Sequence, residues 1–372
     1  MSHTALVRSV EEALAGGAPV VVGSIGAPAV QVVPNGAALV LPTSGSTGSP
    51  KWVALSAANL KASAAASAAR LGGSGNWLLA LPTTHIAGLN VVVRAVLAGG
   101  SLTSMPPDSF TAERFSAAAA AMPPGRRYVS LVPTQLARLL AAGPIGAEAL
   151  AGFEAVLVGG AAISQSLRTA AQAAGVRLVE TYGMAETAGG CVYDGVLLDG
   201  VEARLERGII ELGGPTVALG YAPPDTGERF FEADGRRWFR TSDLGQWTVE
   251  GRLCPTGRID NAITTGGETI SPETVEGELA SGIGLEEVLV VGLPDEHWGQ
   301  TVTALVVPAD GAELDFEALR AGVKRRLGPA YAPRWIGAVP GLPKVAEGKL
   351  DRAAGLDLAA GLRASGRLHK VG

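Results

Sequence analysis

Short apolar runs alternate along the first half of this chain with Ala-rich stretches long enough to be helices. That alternation is the pattern of an α/β fold built on a largely parallel sheet. Ala37 to Leu41 and Val53 to Leu55 read as strands, and Ser56 is placed to cap a helix running through Arg70. Further strands are predicted at Trp77 to Leu81, Tyr128 to Val132, Ala155 to Val158 and Arg177 to Thr181. Helices are predicted over Gly88 to Leu97, stopped by Gly99-Gly100, and from Thr134 and Ser164 onward. Ligands of open sheets bind beyond the carboxyl ends of strands, which directs attention to the residues after Leu41, Leu81, Val158 and Thr181. After about Val192 the texture changes to short Gly-punctuated strands (Val201 to Leu205, Ile209 to Leu212, Arg237 to Arg240), a small β-rich subdomain. The chain starts afresh near Gly257 to Asp260. Strands then follow near Val288 to Val291 and Val302 to Val307, and a helix near Phe316 to Leu327. With 372 residues and roughly 150 per domain, two domains are expected, over 1–258 and 259–372.

Charge and cysteine content exclude several classes. Lys and Arg number 30 against 35 Asp and Glu, so no basic surface exists to displace counterions from nucleic acid. Two cysteines, Cys191 and Cys254, are too few for a disulfide framework, and four dispersed histidines leave no zinc spacing. No charge occurs between Ala13 and Pro50, yet Gly and Pro break that stretch repeatedly, which predicts short buried strands and no membrane span. Glu11-Glu12 is the wrong sign for the start of a signal peptide, so a cytoplasmic protein is expected.

The most informative segment is Thr43-Ser44-Gly45-Ser46-Thr47-Gly48-Ser49-Pro50-Lys51. Small residues let backbone N–H groups turn toward an anion, hydroxyls add donors, and the lysine supplies a point charge. An ordinary Ser/Gly surface loop has the same composition, but this one joins two apolar strands and finishes in Pro-Lys. A P-loop of the Walker type is excluded, because Pro50 and Trp52 stand where it needs Gly and Ser or Thr, and a strand follows.

The loop resembles the phosphate-binding signature of the adenylate-forming superfamily, with Ser46 and Trp52 as departures from its usual Thr and Gly. Five more segments resemble that family's motifs in family order. Val158-Gly159-Gly160-Ala161-Ala162 is similar to a stretch of the adenine pocket. Thr181-Tyr182-Gly183-Met184-Ala185-Glu186-Thr187 resembles Tyr-Gly-x-Thr-Glu; the resemblance implies that Tyr182 and Gly183 lie against adenine, Glu186 holds Mg²⁺ and Thr187 donates to the α-phosphate. Trp238 to Gly245 carries Asp243 where the family binds both ribose hydroxyls. Gly257-Arg258-Ile259-Asp260-Asn261 implies an arginine on ribose and phosphate and a hinge at Asp260. Pro343 to Arg352 resembles the terminal lysine motif; Lys349 is the implied adenylation catalyst, and Lys344 is read as solvated. His85, in Leu81-Pro82-Thr83-Thr84-His85, is implied near the acyl pocket.

The implied fold is a large N-terminal ATP- and acyl-binding domain with the β-rich subdomain, followed by a smaller mobile α+β C-terminal domain. The implied reaction uses ATP and Mg²⁺ to make an acyl-adenylate from a carboxylate, and coenzyme A (CoA) then displaces AMP. Only 42 residues precede Thr43, fewer than is usual in the family, so much of an N-terminal subdomain is expected to be missing. The run Gly183 to Gly195 with Leu198-Asp199-Gly200-Val201 resembles compact actinobacterial o-succinylbenzoate–CoA ligases of menaquinone synthesis. Gly189 and Gly190 are expected to leave room there for an aromatic acid. Another acyl or aryl acid, a carrier-protein thiol and a non-catalytic nucleotide-binding relic stay open as alternatives. A homodimer is the expected state of an enzyme of this type.

Overall fold

The structure is a computed structural model that describes residues 3–23, 32–43, 51–105, 110–223, 227–280, 284–309, 311–344 and 350–372. Two compact units divide the chain: Met1–Thr241 with Trp247–Cys254, and Ser242–Gln246 with Pro255–Gly372.

In the first unit the sheet that organises the rest has the strand order Val196–Leu197, Gly189–Tyr193, Leu178–Met184, Ala155–Gly159, Arg127–Leu131, Asn76–Leu79, Leu102–Ser104. The last five pair in parallel, and Gly189–Tyr193 turns back antiparallel to Leu178–Met184. Side chains alternate between its faces, as period two demands. Trp77, Leu79, Tyr128, Ala155 and Leu157 join one core, whereas Leu78, Val129, Leu131, Val156 and Val158 join a second core beneath the helices Ala112–Ala120 and Pro133–Ala141. Burial on both faces explains why these strands read as unbroken apolar runs.

A second sheet holds Val20–Val21, Ala37–Thr43, Lys51–Ser56 and Gly220–Tyr221. Ala37–Thr43 and Lys51–Ser56 form an antiparallel hairpin closed by Thr43 against Lys51. Ala37–Thr43 also pairs in parallel with Val20–Val21, so the sheet is mixed. Ser56 caps the helix Ala57–Arg70 in a reciprocal box with Asn59, as its position in the sequence predicts. Asn59 also donates to the carbonyls of Pro215 and Val217, tying that helix start to a segment far along the chain. Gly99 ends the helix Ile86–Ala98 in the left-handed conformation.

The β-rich region orders Glu202–Glu206, Ile209–Gly213, Arg236–Trp247 and Phe230–Ala233. Glu211 is 1% exposed there and sits between two guanidiniums, accepting from Arg204 Nε at 2.7 Å and Arg240 Nε at 2.6 Å. Burial alone would raise this carboxyl, but the bonds and charges of Arg204 and Arg240 outweigh it and hold it below the usual range.

The second unit has one sheet in which Leu285–Asp295 and Gly299–Pro308 form a long antiparallel pair, Trp335–Ala338 adds in parallel and His369–Lys370 closes the edge. The helix Phe316–Leu327 matches its predicted bounds, with Asp315 as its N-cap. Asp295 accepts from the backbone of His297 and Trp298, a turn-fixing role. No described helix is long and apolar enough to cross a membrane.

Glu211→Gln is expected to destabilise the protein by about 1–3 kcal/mol at neutral pH, because both arginines lose an ionised partner. A lowered folded pKa means this contribution is present above the carboxyl's unfolded value and fades as pH falls through the folded one. Thermal melts of both proteins from pH 7 to below pH 4.5 should therefore converge at the acid end.

Candidate nucleotide and acyl site

Glu186 lies in a single 3₁₀ turn, Ala185–Thr187, directly after the strand Leu178–Met184. It is 8% exposed, and its Oε1 accepts from the Tyr221 hydroxyl at 2.9 Å. Its carbonyl accepts from Ala218 N at 2.9 Å, which holds the turn against the segment leading to Tyr221. Tyr221 reaches this place because Gly220–Tyr221 pairs antiparallel with Val53 and Ala54 of the strand that Lys51 begins. Lys51 Nζ stands 4.9 Å from the centre of the Tyr221 ring. Burial pushes the Glu186 carboxyl up, while its hydrogen bonds and the charges of Arg229 and Lys51 draw it back. The result is one buried carboxylate beside two cations, built from residues 51, 186, 221 and 229.

This donor set fits Mg²⁺ accompanied by phosphates. Magnesium takes hard oxygen ligands and is commonly bound by one or two carboxylates plus substrate oxygens. Among the described residues no group of three or more His, Cys, Asp or Glu gathers as a metal site, and Glu186 is a single carboxylate.

Two neighbouring residues are held closely by the fold itself. Thr187 is fully buried, and its hydroxyl is held by its own turn: Oγ1 accepts from Met184 N at 3.0 Å and lies 3.1 Å from Met184 O and 2.9 Å from Gly189 O. A hydroxyl so committed fastens the Glu186 turn. Gly189 is closely packed as well. Its φ is +90°, and a Cβ there would run into Asn90 Nδ2, whose amide donates to Ala188 O at 2.8 Å. Beside Gly190 the room is filled by Tyr193 and Thr181.

Other residues lie as follows. Gly160 (φ +82°) and Ala161 are exposed just beyond Ala155–Gly159. Tyr182 is half-buried against the first core, and Gly183 follows at a register shift opposite Gly190. His85 is exposed at the N-cap of Ile86–Ala98, and its side chain makes no capping bond. Thr43 Oγ1 donates to Lys51 O at 3.2 Å. Ser44, Gly45, Ser46, Thr47, Gly48 and Lys349 lie outside the described residues.

In the second unit Arg258 joins Asp243 at 3.2 Å and Asp260 at 2.7 Å, so the three residues expected at ribose, phosphate and hinge form one ion-pair cluster. Arg352, at the end of the lysine motif, is clamped by both oxygens of Glu276 at 2.6 and 2.8 Å and by Glu273 at 3.0 Å. Glu273 also accepts from Asn261 at 2.7 Å, beside Asp260. Lys344 is not simply solvated: it pairs with Glu287, and a bridge from Lys344 to Leu350 ties together the two ends of the lysine segment.

Sequence reasoning missed Tyr221, Glu273 and Glu276. Tyr221 carries a usable signal, being one of only five tyrosines and following a glycine in an apolar stretch. If Gly189 serves packing, Gly189→Ala should destabilise by about 1–3 kcal/mol and leave substrate KM unchanged in the surviving folded enzyme. Melting temperature and KM measured side by side check this.

Comparison with known proteins identifies the family. Residues 4–216 match the AMP-binding enzyme family and residues 274–349 the AMP-binding enzyme C-terminal domain. A probable 2-succinylbenzoate–CoA ligase of Mycobacterium tuberculosis is 47% identical over 322 residues, covering 85% of this chain and 83% of that protein. A sulfoacetate–CoA ligase of Cupriavidus necator is 33% identical, covering 86% and 66%. The o-succinylbenzoate–CoA synthetase of Bacillus subtilis, solved with its acyl-adenylate intermediate, superposes with a TM-score of 0.73 at 29% identity, covering 84% and 68%. The chain belongs to the AMP-binding enzymes, the adenylate-forming family.

Proposed function

We infer that the chain is a 2-succinylbenzoate–CoA ligase of menaquinone synthesis. The observation that carries the chemistry is the buried Glu186 held by Tyr221 beside Lys51. Support for the acid comes from the 47% identity to a relative named for that activity over most of both chains.

In the first half-reaction a carboxylate oxygen of the acid bonds to the α-phosphorus of ATP, and the bond to the bridging oxygen breaks to release pyrophosphate. In the second, the CoA sulfur bonds to the acyl carbon and AMP leaves. Magnesium bound at Glu186 would supply charge neutralisation on the phosphates. Lys51 adds a fixed positive charge at the end of the phosphate loop, and Tyr221 orients the Glu186 carboxylate and stands against Lys51. A positioning partner of this kind is worth about tenfold to a hundredfold in metal affinity or activity. In this reading Asp243 accepts from the ribose hydroxyls, Arg258 contacts ribose and phosphate, and Asp260 is the hinge. Tyr182, Gly183, Gly160 and Ala161 border the adenine, and His85 lines the acyl pocket. Lys349 stabilises charge that develops between the attacking carboxylate and the α-phosphate. A cytoplasmic homodimer completes the reading, and light scattering measures its mass.

The sulfoacetate ligase among the relatives favours one second reading, a CoA ligase for another acid. Mass spectrometry separates the two. With ATP and Mg²⁺, 2-succinylbenzoate should give an adenylate, and a CoA thioester once CoA is added, in preference to benzoates, fatty acids and sulfoacetate. Turnover of another acid alone would discard the acid assignment. No adenylate from any acid would discard the enzyme reading.

Tyr221→Phe should slow adenylation by about tenfold to a hundredfold and raise the Mg²⁺ concentration needed for half-maximal rate. Unchanged Mg²⁺ dependence would remove its role. Lys349→Ala should slow adenylation by about a hundredfold or more and largely spare thioester formation from supplied acyl-adenylate. Stopped-flow assays of each half-reaction would show the difference.

A further inference from the structure

The helices Ala57–Arg70 and Ile86–Ala98 leave a crevice of about 260 Å³ between them. It lies at the amino ends of Asn76–Leu79 and Arg127–Leu131, the opposite end of the parallel sheet from Gly160. Ala68, Leu71 and Leu97 give it apolar walls, Trp77 backs it, exposed Lys61 flanks it, and Arg94 lines it.

Arg94 is the only charged residue of its helix and is 7% exposed. Nη2 donates to Ser67 Oγ at 3.1 Å and to the Tyr193 hydroxyl at 3.0 Å, and the guanidinium carbon lies 5.2 Å from the Trp77 ring centre. Nε is buried with no hydrogen-bond partner. No carboxylate among the described residues forms an ion pair with Arg94. The protein therefore keeps a buried cation on neutral partners at the wall of a cavity. Burying a charge without an opposite charge is costly, and a planar guanidinium matches a carboxylate in shape. The apolar walls suit the body of a ligand that carries only one charged end, and the volume falls below the roughly 300–1,000 Å³ of drug-sized pockets.

We propose that this crevice binds a small aryl monocarboxylate, with its carboxylate on Arg94 and its ring between the two helices. The site uses none of the residues assigned to the nucleotide or the acid being activated.

Benzoate is the probe, titrated calorimetrically into the full chain without ATP. Wild type, Arg94→Met and Ala68→Glu are compared; the last places a carboxylate inside the crevice and leaves the arginine intact. Both variants should lose one equivalent of benzoate, or bind it at least about tenfold more weakly. Both should adenylate 2-succinylbenzoate within about twofold of wild type, as separated sites predict. Benzamide, which has the shape without the charge, should bind wild type at least about tenfold more weakly than benzoate. Equal benzoate binding by all three proteins overturns the proposal, as does benzamide binding as tightly as benzoate. Parallel loss of adenylation in both variants overturns it too, because the acyl site would then be what was titrated. Inorganic phosphate displacing benzoate with equal affinity would refute the aryl assignment.

Discussion

A carboxylate withdrawn from water stays useful as a metal ligand only where donors and positive charge replace the solvent it has lost. In the first unit the buried Glu186 has such partners. The Tyr221 hydroxyl meets Oε1, Lys51 and Arg229 supply the charge, and the backbone of Ala218 holds the turn from behind. Each partner arrives by a different route. Lys51 opens one strand of a hairpin, Tyr221 pairs with that same strand from the other side, and Glu186 follows a strand of the neighbouring sheet.

The strands and helices of both units were legible where residues repeat a local pattern. Ala155–Gly159 and Arg127–Leu131 are buried on both faces, so their apolar runs are continuous, and Ser56 and Gly99 mark helix ends by chemistry that acts within a turn. The direction of pairing was not legible. Ala37–Thr43 looks like any other apolar strand, yet it belongs to a separate, mostly antiparallel sheet, because sheet membership is decided by contacts far along the chain.

The same distinction governs the site. Glu186, Lys51, Asp243 and Arg258 could be picked out because each lies in a short run of unusual composition. Tyr221 could not, because it lies 35 residues from the carboxylate it serves and only the sheet brings them together. Thr187 and Gly189 show a related effect. A hydroxyl and a glycine beside a functional carboxylate resemble ligand contacts in sequence, but folding uses them first: the Thr187 hydroxyl fastens the turn, and the space at Gly189 admits Asn90. Arg94 is the converse case, an isolated charge in an apolar helix whose unmet donor only the packed structure reveals.

The most direct test of the account is the affinity of ATP for wild type and Glu186→Gln, measured by calorimetry with and without Mg²⁺. Glutamine keeps the size of the side chain and an acceptor for Tyr221 but removes the charge. Mg²⁺ should tighten ATP binding to wild type by about tenfold or more, and the variant should lose most of that gain. An equal gain in both proteins would contradict the placement of the metal-binding carboxylate at Glu186.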